Sequence, residues 1–163
     1  MPTRSLTEKQ IMDLLAETPA RIAALSAGLS AAQLRTMSNV DEWSMNEVLA
    51  HLRACADVWG NCIVQIIAED NPTLRAVNPR TWIKQTDYRD REFLPSFQAF
   101  GAQRAALLAV LEPLPHEGWS RQATVTGAGK VLERTVLFYG DRLARHERQH
   151  VVQIEQIVTA LLR

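Results

Sequence analysis

The sequence predicts an all-α fold: a four-helix bundle with a long crossover connection between its second and third helices. Four segments carry apolar residues at helical period, and each is bounded by capping or breaking residues. The one long polar stretch, Glu69 to Asp90, falls between the second and third of them. A chain of 163 residues is of single-domain size, so one domain is expected over residues 1–163.

The first helix opens on Thr7-x-x-Gln10, a capping box, and carries Ile11, Leu14, Leu15, Ile22 and Leu25 to about Gly28. Pro19 predicts a kink or a restart, because proline lacks the amide that closes a helical turn. Ser30 to Leu34 reads as a short helical turn. The second helix announces itself by Ser44-x-x-Glu47, a further capping box, with Trp43 placed as the staple residue before it. Val48, Leu49, Leu52, Val58, Ile63 and Ile66 give it an apolar face that also bears His51.

Turn signals at Asn71-Pro72 and Asn78-Pro79 mark the connection that follows. Loops this long in a compact domain are commonly functional or partly helical. The third helix runs from about Glu92 to Glu112, with Phe97, Phe100, Leu107, Leu108 and Leu111 inward, and Pro113 and Pro115 end it. Residues 119–131, containing Gly127 and Gly129, read as a small hairpin or an extended loop. The last helix spans about Thr135 to Leu162, with Val136, Leu143, Val151, Ile154, Val158 and Leu161 on its apolar face.

Lys plus Arg and Asp plus Glu are 18 each, so the formal charge is zero. That argues against a nucleic-acid partner, which normally requires a clustered basic excess. No apolar run approaches a membrane span, and residues 1–10 show no apolar core of a signal peptide, so the cytoplasm is the expected compartment. Cys55 and Cys62 stand seven apart on one helix, ~10 Å along its axis and beyond disulfide reach.

The chemistry concentrates in His146-Glu147-Arg148-Gln149-His150 on the last helix. Histidines four apart lie one turn above each other on one face, where two imidazoles can share a metal ion. The five residues also spell HExxH, in which the glutamate serves as general base of a zinc protease. That reading needs a downstream third ligand, and only Glu155, off the shared face, follows. In a helical bundle, metal sites are built from facing helices, which makes His51 the third ligand to expect. Cys55, one turn from His51, offers sulfur, although a small buried core residue is the commoner role of a free cysteine. His116 lies in a loop and reads as solvated.

The segment Trp43-Ser-Met-Asn-Glu-Val-Leu-Ala-His-Leu52, taken with His146-x-x-x-His150 and Gln153-Ile154, resembles the DinB-like (DinB/YfiT) superfamily in order and spacing over nearly the whole chain. The resemblance implies a four-helix bundle holding a divalent metal through His51, His146 and His150. It also implies kinship with thiol-dependent S-transferases and isomerases that use low-molecular-weight thiols, and with many members of no assigned activity.

Three neutral imidazoles leave coordination positions open, as in catalytic rather than structural sites. Zn or Ni is the expected metal, with Fe or Mn as alternatives, since imidazole alone selects none of them. The expected function is a metal-dependent transferase or hydrolase acting on a small thiol or electrophile, with a low-molecular-weight thiol as a further cofactor. The alternatives are a non-catalytic metal-binding stress-response bundle and a zincin-like hydrolase. Glu147 and Gln153 are the catalytic candidates, as groups that orient ligands or bound water; Glu147 also fits a solvated or salt-bridged role. Arg80, Trp82 and Tyr88 of the long connection are expected to overhang the metal and contact a small-molecule substrate. The apolar residues of the first helix, with Phe93, Leu94, Phe97 and Phe100 of the third, predict a homodimer.

Overall fold

The computed structural model describes residues 4–163; the first three residues of the stretch read for a signal peptide lie outside them. Helix α1 (Glu8–Ser26) is followed by the short α2 (Ala31–Arg35) and by α3 (Met45–Ala68). The connection then holds strand β1 (Thr73–Arg75), helix α4 (Pro79–Trp82) and two 3-10 turns, Ile83–Gln85 and Tyr88–Asp90. Helix α5 (Phe93–Leu111), a 3-10 turn at His116–Ser120, strands β2 (Gln122–Thr126) and β3 (Leu132–Thr135) and helix α6 (Val136–Leu161) complete the chain.

The caps form largely where the sequence places them. Thr7 and Gln10 close a full capping box on α1, and Ser30 with Gln33 does so on α2. Ser44 accepts from the Glu47 amide, but the Glu47 side chain does not return to the Ser44 backbone, so only half of that box exists. Pro19 neither breaks nor restarts α1. The Leu15 carbonyl, which the missing proline amide would leave open, instead accepts from Arg104 Nη1 at 2.9 Å. A side chain from another helix replaces the lost bond.

Four long helices form the bundle: α1 packs on α5 and α6, and α3 packs on the same two. Asn46 donates to the Arg91 carbonyl, Arg53 to Ser96 and Gln103 to Asp57. The paired positions rise together along both chains, so α3 and α5 run in the same direction, and residues 69–92 return the chain along the bundle. Against α3, by contrast, α6 is antiparallel: His51 meets His146, while Asp41 before the helix meets Gln153.

The expectation of a purely α fold is incomplete. Three short strands form a sheet of order β1-β2-β3, with β1 parallel to β2 (Leu74 opposite Val125) and β2 antiparallel to β3 (Thr124 opposite Glu133). The hairpin between β2 and β3 turns through Gly127 and Gly129, both at positive φ, which a side chain would strain. Strand β1 is three residues long, too short for alternation to reveal it.

Two apolar clusters fill the bundle. One gathers Ile11, Leu15, Ile63, Leu107, Leu111 and Leu143; the other gathers Ile22, Leu49, Leu52, Phe100 and Ile154. Each such side chain contributes ~1.5–3 kcal/mol through burial. On α5 and α6 the break between clusters coincides with polar residues: Arg104 lies between Phe100 and Leu107, and His146, Glu147 and His150 lie between Leu143 and Ile154. The site is therefore a polar layer across the middle of an apolar bundle. Ile11, Leu15, Ile22, Phe93 and Phe100, read as an association face, are buried inside this core, and of the residues named for that face Leu94 is the one strongly exposed. Among the described residues no helix is long and apolar enough to cross a membrane.

Candidate metal centre

Ser44 caps α3 and sets its start, which places His51 two turns in and buried against α6. Thr135 caps α6 and sets the register that turns His146 and His150 to the same side. Antiparallel packing of these helices joins the three rings. His51 Nε2 and His150 Nε2 each lie 3.1 Å from His146 Nε2, and the ring centroids are 4.4–4.9 Å apart.

This convergence cannot be closed by hydrogen bonding among the rings. A neutral imidazole has one donor nitrogen and one acceptor nitrogen. His146 Nε2 faces two other Nε2 atoms and can satisfy at most one of them with its single proton. Its Nδ1 is buried with no partner. Three nitrogens sharing one tetrahedral ion at 2.0–2.1 Å would stand ~3.3–3.4 Å apart, and the two contacts to His146 Nε2, 3.1 Å each, are close to that. The donors that lie mutually close, His51, His146 and the Cys55 thiol, fit a divalent metal.

The protonation states agree. Burial, followed by the neighbouring imidazoles and arginine charges, lowers the His51 pKa to about 4 and that of His146 to about 3. Both are neutral at pH 7 and have lone pairs to give. The tautomer of His150 follows from its partners: Asp41 Oδ2 accepts from Gln153 Nε2 at 2.8 Å, which turns Gln153 Oε1 toward His150 Nδ1 at 2.7 Å. An amide oxygen only accepts, so Nδ1 carries the proton and the Nε2 lone pair points into the cluster. Asp41 is itself fixed by the Trp43 amide at 2.8 Å. Gln153 thus acts on His150 rather than on a substrate.

Aromatic walls hold the rings. Trp43 stands edge-on to His51 at 5.2 Å and parallel to His150 at 6.3 Å, and Trp59 stands edge-on to His146 at 5.1 Å. The staple position thus serves the site as well as the helix start. Cys55 reaches the same focus from the bundle interior, its Sγ 3.6 Å from His51 Nε2 and 4.0 Å from His146 Nε2. His51, Cys55 and His146 offer ligand atoms all within 4.8 Å of one another. Burial, with help from the Glu147 charge, pushes the free thiol up to about 12, so without a metal it stays protonated.

Glu147 has a different place from the one HExxH gives it. One residue on from His146, it is rotated ~100° around the helix and fully buried. Both its oxygens accept from Arg104, the Nη1 contact being 2.7 Å, and Arg104 Nη1 also serves the Leu15 carbonyl. Fully buried and held at both oxygens by a guanidinium, this carboxylate cannot meet water at the imidazoles, so the general-base expectation for Glu147 is corrected to a core ion pair. Arg104 escaped the sequence reading, although it is the one charged residue in α5 and stood out for that reason.

The long connection divides. Trp82 Nε1 and the Tyr88 hydroxyl both donate to Asp57 on α3, and Arg53 stacks over the Tyr88 ring at 3.8 Å. These two aromatics anchor the segment to the bundle. Arg80, by contrast, lines a cavity of about 310 Å³ that has His51 in its wall, together with Trp43, Glu47, Lys84 and Arg89.

Comparisons with known proteins agree with this architecture. The DinB superfamily model matches residues 14–154. A protein of Geobacillus thermodenitrificans, named as a candidate metal-dependent hydrolase, is 25% identical over 149 residues, covering 90% of this chain and 81% of its own. The solved structure of YfiT from Bacillus subtilis, described as a metal-dependent hydrolase candidate with an unusual four-helix-bundle topology, superposes with a TM-score of 0.74 at 18% identity. It covers 96% of this chain and 90% of that one. A family match across most of the sequence and a shared bundle place this chain in the DinB superfamily.

Proposed function

We propose that the chain is a divalent-metal-dependent enzyme of the hydrolase or transferase type, with His51, His146 and His150 as the ligands. The observation that carries this is the approach of His51 Nε2 and His150 Nε2 to His146 Nε2, each at 3.1 Å. The hydrolase names of the relatives point the same way. A divalent ion held by these imidazoles supplies Lewis acidity toward an electrophile and lowers the pKa of a bound water or thiol. Around it, Gln153 and Asp41 orient His150, Trp43 and Trp59 keep the rings in place and exclude water, and the cavity beside His51 admits a small molecule. Zn or Ni suits the imidazole set, and Fe or Mn is also compatible with it.

The experiment is metal analysis of protein purified without a metal column, followed by turnover of a small activated ester and a small alkylating electrophile, with and without added thiol. Ester turnover lost with chelator and restored by Zn²⁺ or Ni²⁺ supports the hydrolase form, and dependence on thiol supports the transferase form. Protein that binds no divalent metal overturns both. The buried Cys55 thiol favours a second reading, a site of His51, Cys55 and His146 that holds metal without turnover. A sulfur-to-metal charge-transfer band in the Co²⁺ protein, absent after Cys55→Ala, would select it.

A further inference from the structure

The turns that return the chain between α3 and α5 carry Arg80, Lys84 and Arg89, and all three face the cavity that has His51 in its wall. Nearby cations are matched: Arg35 with Glu92, Arg91 with Asp87, and Arg53 with Ser96 and the Tyr88 ring. Among the described residues, the side chains of Arg80, Lys84 and Arg89 have no ion pair and no hydrogen bond. The one carboxylate at the cavity, Glu47, accepts from the Ser44 hydroxyl at 3.3 Å and forms no salt bridge with them.

The arrangement is held in place rather than loose. Ile83, between Arg80 and Lys84, is buried against Ala50 and Ala54, while Trp82 and Tyr88 are tied to Asp57. The backbone is thereby pinned while the cationic ends stay free. Three like charges gathered around one concavity repel one another and raise the local concentration of anions. Neutral imidazoles do not offset this, and a divalent ion on them adds to it.

We propose that this cavity is the substrate pocket of the site and that it selects a small oxyanion, a molecule bearing carboxylate or phosphate groups, through Arg80, Lys84 and Arg89. This rests on the metal-site reading for what happens to the substrate, but not for its binding. Guanidinium forks match the planar edge of a carboxylate or two phosphate oxygens. A cavity of about 310 Å³ fits a metabolite-sized ligand and excludes a polymer chain lying across it.

The test is titration calorimetry with succinate, inorganic phosphate and the uncharged succinamide, on the wild type and on Arg80→Gln, Lys84→Gln and Arg89→Gln, with bound metal measured in each sample. All three positions are exposed, so the substitutions leave the core intact. Succinate or phosphate should bind while succinamide does not, and which of the two binds tighter separates carboxylate from phosphate substrates. Each arginine variant should bind the anion at least about tenfold more weakly, the usual worth of a charge-assisted hydrogen bond. Equal binding of succinate and succinamide, no binding of either anion, or full anion affinity in Arg80→Gln and Arg89→Gln would overturn the proposal. Arginine-dependent anion binding by a protein that takes up no metal would overturn the metal reading alone.

Discussion

His146 and Glu147 are neighbours on α6, yet the polar clusters they enter are opposites. Around Glu147 every hydrogen-bonding need is met: two carboxylate oxygens meet two guanidinium nitrogens, and the same arginine reaches the carbonyl that Pro19 leaves open. Around His146, like atoms face like atoms, and a buried nitrogen has no partner. Satisfaction of hydrogen-bonding groups separates the two kinds of buried polar cluster. A closed network holds helices together, whereas a convergence of imidazole nitrogens that cannot all be satisfied by one another is open to a further partner.

The two clusters should answer differently to substitution. The largest effect is expected from His146→Ala, which should lower metal affinity by more than the ~10–100-fold that changes to ligand-supporting residues cost, while Glu147→Leu paired with Arg104→Met should leave metal uptake near wild type. Metal titration by competition with a chromophoric chelator checks both; loss of metal in the double variant while the fold is kept would show that Glu147 belongs to the site after all.

Next in size is the ion pair itself. Arg104→Met alone strands a buried carboxylate and should reduce the urea unfolding free energy by about 3–5 kcal/mol. Removing both charges with Arg104→Met and Glu147→Leu should recover most of that loss. If the double variant is no more stable than the single one, the pair is not the closed unit described here.

A smaller effect separates the ligands from what supports them. Gln153→Ala frees the His150 ring and removes the group that fixes its tautomer, so metal affinity should fall ~10–100-fold with little change in metal-free stability. An unchanged affinity would mean that Asp41 and Gln153 merely fasten the start of α3 to α6.

The smallest effect is on pH dependence without metal. The pKa values of His51 and His146 are lowered in the folded protein, to about 4 and about 3, from 6.5. As pH falls below 6.5 the unfolded chain takes up protons that the native state refuses. Their stabilising contribution is therefore full above that pH and is lost progressively as the pH falls toward 4 and 3. Between pH 7 and 5.5 the loss should be ~1 kcal/mol per histidine. Thermal melts of wild type and His51→Ala over this range should diverge in slope, and parallel slopes would show that protonation of the cluster is not coupled to folding.

Much of this molecule can be read without coordinates. Capping residues and 3.6-residue periodicity depend on neighbours within one turn, so the four long helices, their starts at Thr7, Ser44 and Thr135, and the shared face of His146 and His150 follow from the sequence alone. What lies opposite a face is another matter. His51 and His146 are 95 residues apart, and Arg104 and Glu147 are 43 apart. Nothing local tells a glutamate one position from a ligand whether it meets water or a guanidinium. The same holds for the tolerance of Pro19, for Trp43 and Asp41 as supports of the imidazoles, and for strand β1, whose three residues take their conformation from pairing with β2. Periodicity decides which side chains share a surface. Only packing decides what that surface meets, because the desolvation and charge pairing that set each group's role arise between segments distant in the chain.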